Sequence, residues 1–387
     1  MKRNRMKHIA LLGSFSGRNK GDLAVLRTEL MQLKTRAREQ LTVYIFTKDT
    51  RRLREYLSDI IADEANRSKL NIKIFRGLTS YIGPKTLPIL AKCNKVIIGG
   101  GGLFFDNRLF DISFSHLLNI FIIALLLKWL GKDLMIYAVG CSHLNSRAAR
   151  WMTRFVVNNA KIVSVRDRLS KMIFSECSDR EIVLGSDPAF LLGPKKTARA
   201  EKIAESWPKG GKILLSLLEL IFIRKDVPEP QNALKQFLVQ VHEFAERNGY
   251  FVLTYTNYTS QKFASKIAKL CGKSARTMLE GENHLLPEEI VYLFSKVDFV
   301  ITAQLHVGIS SYLAGVPFVS LIYDDKVEEF NKRIGSQNYL SLTEMSDSVK
   351  VAKALSVVAG SRPIPRNAAV QTDSEKLAEM LNKFVWD

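Results

Sequence analysis

The stretch "DFVITAQLHVGISSYLAGVPFVSLIYDDK", Asp298 to Lys326, contains a complete structural repeat in miniature. A short β-branched run, FVIT, leads into HVGISSYLAG, whose apolar residues recur at helical spacing. A second β-branched run then opens at Pro317. Strand, helix and strand in so short a space predict two parallel strands joined by a crossover helix, because a tight turn can connect only antiparallel neighbours.

The same alternation extends in both directions. Upstream lie HIALLG, a helix from about Asp22 with Leu23, Leu26, Leu30 and Leu33 on one face, then LTVYIF, KVIIGG, DLMIYAVG, KIVSV and EIVLG. The lysine-rich segment KKTARAEKIAESWPKGGK breaks the pattern. It restarts with KILLSL, a helix around Gln231 to Arg247, YFVLTY, a helix from about Ser260, and DFVIT. At 387 residues the chain is longer than one hydrophobic core usually supports. The expectation is therefore an α/β protein of two Rossmann-like domains with parallel sheets facing across a cleft, residues 1–195 and 196–387. The last helix, about Ser374 to Val385, would be free to pack back on the N-terminal domain.

Composition narrows the function. Hydrophobic residues at 47% and charged residues at 25% are those of a globular protein, which excludes collagen-like and disordered classes. A net charge of +19, from 57 Lys and Arg against 38 Asp and Glu, points to an anionic partner such as a phosphorylated metabolite or a membrane surface. No nucleic-acid motif accompanies the charge, so nucleic acid is not expected. Cys93, Cys141, Cys177 and Cys271 lack CxxC spacing, which argues against zinc or a disulfide framework and fits a reducing cytosol. The apolar segment LLNIFIIALLLKWL, Leu117 to Leu130, is shorter than the roughly 20 residues that span a bilayer. A cytoplasmic protein is expected, with peripheral contact at the inner face of an anionic membrane as a further expectation from the basic surface. Oligomeric state is not legible.

Four segments fall at predicted strand-to-helix turns, where backbone N–H groups and the helix dipole can hold an anion. In GSFSGRNKGDLAVL, Asn19, Gly21 and Asp22 close a loop, and Asp22 reads as a helix N-cap. In IIGGGGLFFD, Gly99, Gly100, Gly101 and Gly102 read either as a turn that lets a ligand approach or as a merely tight turn. Their spacing fits neither GxGxxG nor the P-loop. In SVRDRLS, Arg166 can fork to a phosphate or carboxylate or pair with Asp167. The fourth is the opening stretch. His306 stands at the carboxyl end of its strand and Lys326 beyond the next, so a titratable group and a cation share the ligand edge of one sheet.

In order and spacing, NKGDLAVL, VIIGGGGLFFD, SVRDRLS, GSDPAFLL and ITAQLHVGISSYLAGVPFVSLIYDDKVEEF resemble the polysaccharide pyruvyl transferase family over about Ile9 to Phe330. The resemblance implies a GT-B-like architecture. It also implies transfer of the enolpyruvyl group of phosphoenolpyruvate to hydroxyls of a bacterial surface polysaccharide or its lipid-linked precursor, closing a pyruvate ketal. Phosphoenolpyruvate is then a co-substrate, and neither cofactor nor metal is expected. By motif, His306 matches the catalytic histidine, and Lys326 and Arg166 match donor-binding positions. The turns at Asn19, Gly21 and Asp22, at Gly99 to Gly102 and at Asp187 serve the acceptor or an anion. Two positions depart from the family. Its Arg-Leu-His reads Gln304-Leu305-His306 here, placing Gln304 in the donor site. LLSLLELIF, Leu214 to Phe222, lacks the arginine often found near Glu219, with Arg224 and Lys225 as the neighbouring cations. Two other readings stand beside this one: a glycosyltransferase using a nucleotide-sugar, and a non-catalytic descendant that binds polymer or partner.

Overall fold

The computed structural model describes residues 6–37, 39–62, 69–219, 229–258, 260–272, 275–280 and 284–387. The chain divides into two compact units. The first comprises Met1–Gly17, Asp22–Leu191 and Ala369–Asp387, and the second Arg18–Gly21 and Leu192–Ala368.

Among the described residues, the first unit carries a seven-stranded sheet of β1 (Lys7–Leu12), β2 (Leu41–Thr47), β3 (Leu70–Arg76), β4 (Lys95–Phe104), β5 (Asp133–Cys141), β6 (Ile162–Val165) and β7 (Val183–Leu184). Their order is β3-β2-β1-β4-β5-β6-β7 and every pairing is parallel. Every residue of β2 is buried, as expected of a parallel strand covered by helices on both faces. Helices α1 (Lys20–Thr35), α2 (Thr50–Tyr56), α3 (Ser58–Ala62), α4 (Thr86–Lys92), α5 (His116–Trp129), α6 (Arg147–Asn159) and α7 (Arg168–Cys177) alternate with the strands. One core cluster joins Ile98, Leu103 and Ile136 of the sheet to Ile120, Ile123 and Val156 of α5 and α6.

The second unit repeats the design with β8 (Gly211–Ser216), β9 (Tyr250–Thr254), β10 (Ala275–Thr277), β11 (Phe299–Thr302), β12 (Phe318–Ile322) and β13 (Tyr339–Ser341), in the order β10-β9-β8-β11-β12-β13, again all parallel. Its helices are α8 (Ala198–Glu205), α9 (Pro230–Asn248), α10 (Lys262–Leu270), α11 (Pro287–Phe294), α12 (Leu305–Ala314), α13 (Asp325–Ile334) and α14 (Ser348–Ala359). Ile213, Phe237, Val252, Phe299 and Val319 anchor its core.

The final helix, α15 (Ala368–Trp386), lies almost wholly within the first unit and begins several residues before the periodicity predicts. Leu377 rests on Gly185, where a Cβ would collide with it, and the Ser374 and Ser186 hydroxyls bond to each other. The Nζ of Lys7 donates to the carbonyls of Val385 (3.2 Å) and Trp386 (2.7 Å), and Lys95 donates to that of Phe384. Two lysines thus meet the negative end of the helix dipole.

In each sheet the strand order reverses once, between β1 and β4 and between β8 and β11. At such a point the flanking connections leave in opposite directions, and a crevice opens beyond the carboxyl ends of the two strands. The residues singled out by sequence cluster at these two places.

Candidate active site

In the second unit the switch point is built around Gln304 and His306. The α12 helix begins directly after β11, with Gln304 at its N-cap position and His306 in its first turn. Gln304 is buried and its amide is fully engaged. Nε2 donates to the carbonyl of Leu217 (2.9 Å), just past β8, and to Oγ1 of Thr256 (3.2 Å), while Oε1 accepts from the backbone N–H of Asn257 (3.0 Å). One neutral side chain therefore ties together the ends of three strands, using donor and acceptor capacity that an arginine does not combine.

The chain segment Arg18–Gly21 joins this network. The Lys20 N–H donates to the Asn257 carbonyl (2.8 Å), Asn257 Nδ2 approaches Asn19 Oδ1 (3.4 Å), and Asn19 forms an antiparallel bridge with Tyr258. Asn19 Oδ1 also accepts from the N–H of Gly21 (2.8 Å). Asn19 therefore caps α1, and Asp22 sits inside the first turn rather than at the N-cap, because the helix starts at Lys20. Lys20 is buried, with Nζ donating to the Leu285 carbonyl (2.8 Å). At Gly21 any Cβ would overlap the imidazole of His306, so the ring lies directly on the Gly21 backbone. A glycine is required there by close approach.

Lys326 stands one strand over. β12 pairs in parallel with β11, Thr302 opposite Ser320, so the chain after each strand emerges at the same edge. Asp324 caps α13, accepting from the Lys326 N–H (3.1 Å), and the Lys326 ammonium lies 3.0 Å from the Asp324 carboxylate and above the Tyr323 ring. Half-exposed at a helix start, it adds charge to an edge already lined by the N-termini of α12 and α13.

The switch point of the first unit is lined by the glycine run. Here the structure differs from the expected turn: Gly99 to Gly102 lie within β4 and pair with β5, Gly99 opposite Tyr137 and Gly102 opposite Gly140. The absence of side chains is explained by α1, which packs so closely that a Cβ at Gly99 would meet the Glu29 carboxyl and one at Gly100 would meet Val25. Gly101 has φ +92°, with Asp22 Oδ1 facing the position its Cβ would take. Gly102 is exposed beside the Arg166 guanidinium.

Arg166 follows β6 and is buried. Nη1 donates to Asp187 (2.6 Å) and Nε lies 3.6 Å from Asp167, which caps α7. Burial works against its charge, but Asp187, then Asp167, with Asp22 beyond, raise its pKa above the ordinary value. The first unit therefore brings together Asp22, Gly101, Gly102, Arg166 and Asp187, and the second brings together Asn19, Gly21, Gln304 and His306, with Lys326 at the start of α13 beyond the adjacent strand. Glu219 is exposed, and Arg224 and Lys225 lie outside the described residues.

Sequence reading passes over one group. Glu29 of α1 is fully buried against the glycine strand, and among the described residues neither of its carboxyl oxygens has a hydrogen-bond partner. Burial, with Asp187 adding to it, raises its pKa well above the usual carboxylate range. An acidic residue among the apolar positions of a sheet-facing helix is the only sequence signal for it.

Two Rossmann-like units with parallel sheets define a GT-B-like α/β fold. The chain resembles the UDP-GlcNAc 2-epimerase of Methanocaldococcus jannaschii (TM-score 0.63, 13% identity, covering 98% of this chain and 100% of that one). It also resembles the UDP-GlcNAc 2-epimerase of Neisseria meningitidis (TM-score 0.61, 12% identity, 98% and 100%). At such identity the likeness is one of fold. No curated protein sequence matches the chain. The family model for polysaccharide pyruvyl transferase matches residues 19–325, and the chain belongs to that family, whose general chemistry is pyruvyl transfer to polysaccharide.

Proposed function

We propose that the chain transfers the pyruvyl group of phosphoenolpyruvate to two hydroxyls of a bacterial surface polysaccharide or its lipid-linked precursor, closing a cyclic ketal. The observation that carries this reading is His306. It is a histidine at the switch point of a parallel sheet, in the first turn of a helix, held against a glycine backbone and followed beyond the next strand by a lysine. The N-termini of α12 and α13 and the Lys326 ammonium favour the phosphate and carboxylate of the donor.

In the reaction the methylene carbon C3 of phosphoenolpyruvate gains a proton while one acceptor hydroxyl adds to C2. The second hydroxyl then bonds to C2 as the C2–O bond to phosphate breaks. One hydroxyl proton ends on C3 and the other on the departing phosphate. We assign His306 to carrying these protons, the role a histidine most often takes in general acid–base catalysis. Arg166 already faces Asp187 and Asp167, so its part is to hold the segments after β6 and β7 together, while Gly102 beside it offers backbone to the acceptor.

The test incubates purified protein with phosphoenolpyruvate and a panel of free and lipid-linked oligosaccharides. Phosphate should be released, and an acceptor should gain the mass of pyruvate less one water. His306→Ala should retain the wild-type melting temperature and lose at least 100-fold in rate, the usual contribution of a general acid–base group. Phosphate release by His306→Ala at the wild-type rate would remove the residue from the chemistry. Turnover of UDP-GlcNAc in place of phosphoenolpyruvate would replace the reading altogether.

A further inference from the structure

Helix α5, HLLNIFIIALLLKW, is apolar around its whole circumference, a pattern that normally means burial on all sides. Its inner face is in the core at Ile120, Ile123 and Leu127. Its outer face is in solvent: Leu125 is 42% and Trp129 74% exposed, and with half-buried Phe121 they form one ridge at i, i+4 and i+8. Helix α6 packs alongside and continues the surface. Trp151, 57% exposed, lies with its ring tilted 5.1 Å from that of Phe121, and Phe155 lies 5.2 Å from the same ring.

The polar part of this surface carries one sign. Arg147, Arg150 and Arg154 of α6 and Lys128 of α5 are all exposed, and neither helix contains an Asp or Glu. Arg147 and Arg150 occupy the first turn of α6, where the helix dipole disfavours cations. The loop before α5 adds to the apolar character, with Phe110 at 75% and Phe114 at 58% exposed. That loop is tied to the start of α6 by Asp106, which accepts from the N–H groups of Asn145 (2.9 Å) and Ser146 (2.8 Å).

From this surface we infer that the α5–α6 face of the first unit docks on an anionic phospholipid bilayer. Tryptophan and leucine interleaved with arginine, on two helices that contain no acidic residue, match the interfacial zone, where aromatic rings sit among the headgroups and cations meet lipid phosphates. Each arginine near such a surface is attracted to its anionic headgroups. The contact is peripheral, since no helix among the described residues is long and apolar enough to cross a membrane. The inference does not depend on the transfer reaction, because lipid contact is read without turnover.

The test sediments the full chain with vesicles of phosphatidylcholine containing phosphatidylglycerol and with vesicles of phosphatidylcholine alone. Binding is expected only with the anionic lipid, with a blue shift of tryptophan emission. Two variants probe the two halves of the surface, Trp129→Ser with Trp151→Ser, and Arg147→Glu with Arg154→Glu. Each pair should weaken vesicle binding at least tenfold while the melting temperature stays at the wild-type value. If one pair lowers the melting temperature, the other decides. Failure of the wild type to sediment with anionic vesicles, or wild-type binding by both variants, would overturn the inference. So would a dimer in solution that the tryptophan variant splits, since a second copy would then cover the face.

Discussion

Gln304 stands where the motif resemblance expects an arginine, and its side chain has a structural task of its own. Read by pattern alone, restoring arginine at this position should strengthen phosphoenolpyruvate binding. The hydrogen bonds attach a stability cost to that change, because the amide oxygen accepts from the Asn257 N–H and a guanidinium has no acceptor. Gln304→Arg should therefore cost roughly 1–3 kcal/mol for the orphaned N–H alone, and more if the buried charge finds no partner. Urea denaturation would measure it, and a variant as stable as wild type would show that the Leu217 and Asn257 loops can rearrange. These contacts were not legible in sequence, since Leu217, Thr256 and Gln304 are far apart along the chain. The placement of His306 and Lys326 at neighbouring strand ends was legible, because strand and helix periodicities fix which end of a parallel sheet a residue occupies.

At the scale of elements, the alternation of strands and helices was readable wherever strands are covered on both faces. β1, β2, β4, β5, β8, β9, β11 and β12 all show as apolar runs. β3, β10 and β13 did not show, and each lies at a sheet edge, where LNIKIFR, ART and YLS have no need of continuous apolar character. The glycine run misled for a related reason: glycines predict a turn, but here they admit a helix. The packing of α1 on β4 also buries Glu29, which gives the pair a pH signature. Burial, with Asp187 adding to it, makes the folded state hold the carboxyl proton to higher pH than the unfolded chain, which releases it above the ordinary pKa of about 4.5. The unfolded state then binds fewer protons, so stability falls as pH rises above that value, by at most about 1.4 kcal/mol per pH unit until the folded pKa is reached. Glu29→Gln should remove this contribution. The difference in melting temperature between pH 5 and pH 8 should shrink in the variant, and an unchanged difference would mean that Glu29 ionises in place.

At the scale of the molecule, the first unit is discontinuous: α15 supplies part of it from the far end of the chain. Leu377, Leu381, Phe384 and Val385 are all buried there. Each such side chain is worth roughly 1.5–3 kcal/mol, so together they rival the whole stability of a typical domain. Leu377→Ala should lower stability by roughly 2–5 kcal/mol, read as a shift in denaturation midpoint; a loss below 1 kcal/mol would mean that the seat on Gly185 contributes little. This arrangement also sets an order of events during synthesis. Domains fold as units, from the N-terminus first, as the ribosome releases them. Here the segment 192–368 leaves the ribosome entire while the earlier sheet still lacks its closing helix, so the part of the protein made first is completed last. Until then the place that Leu377 takes on Gly185 stays uncovered.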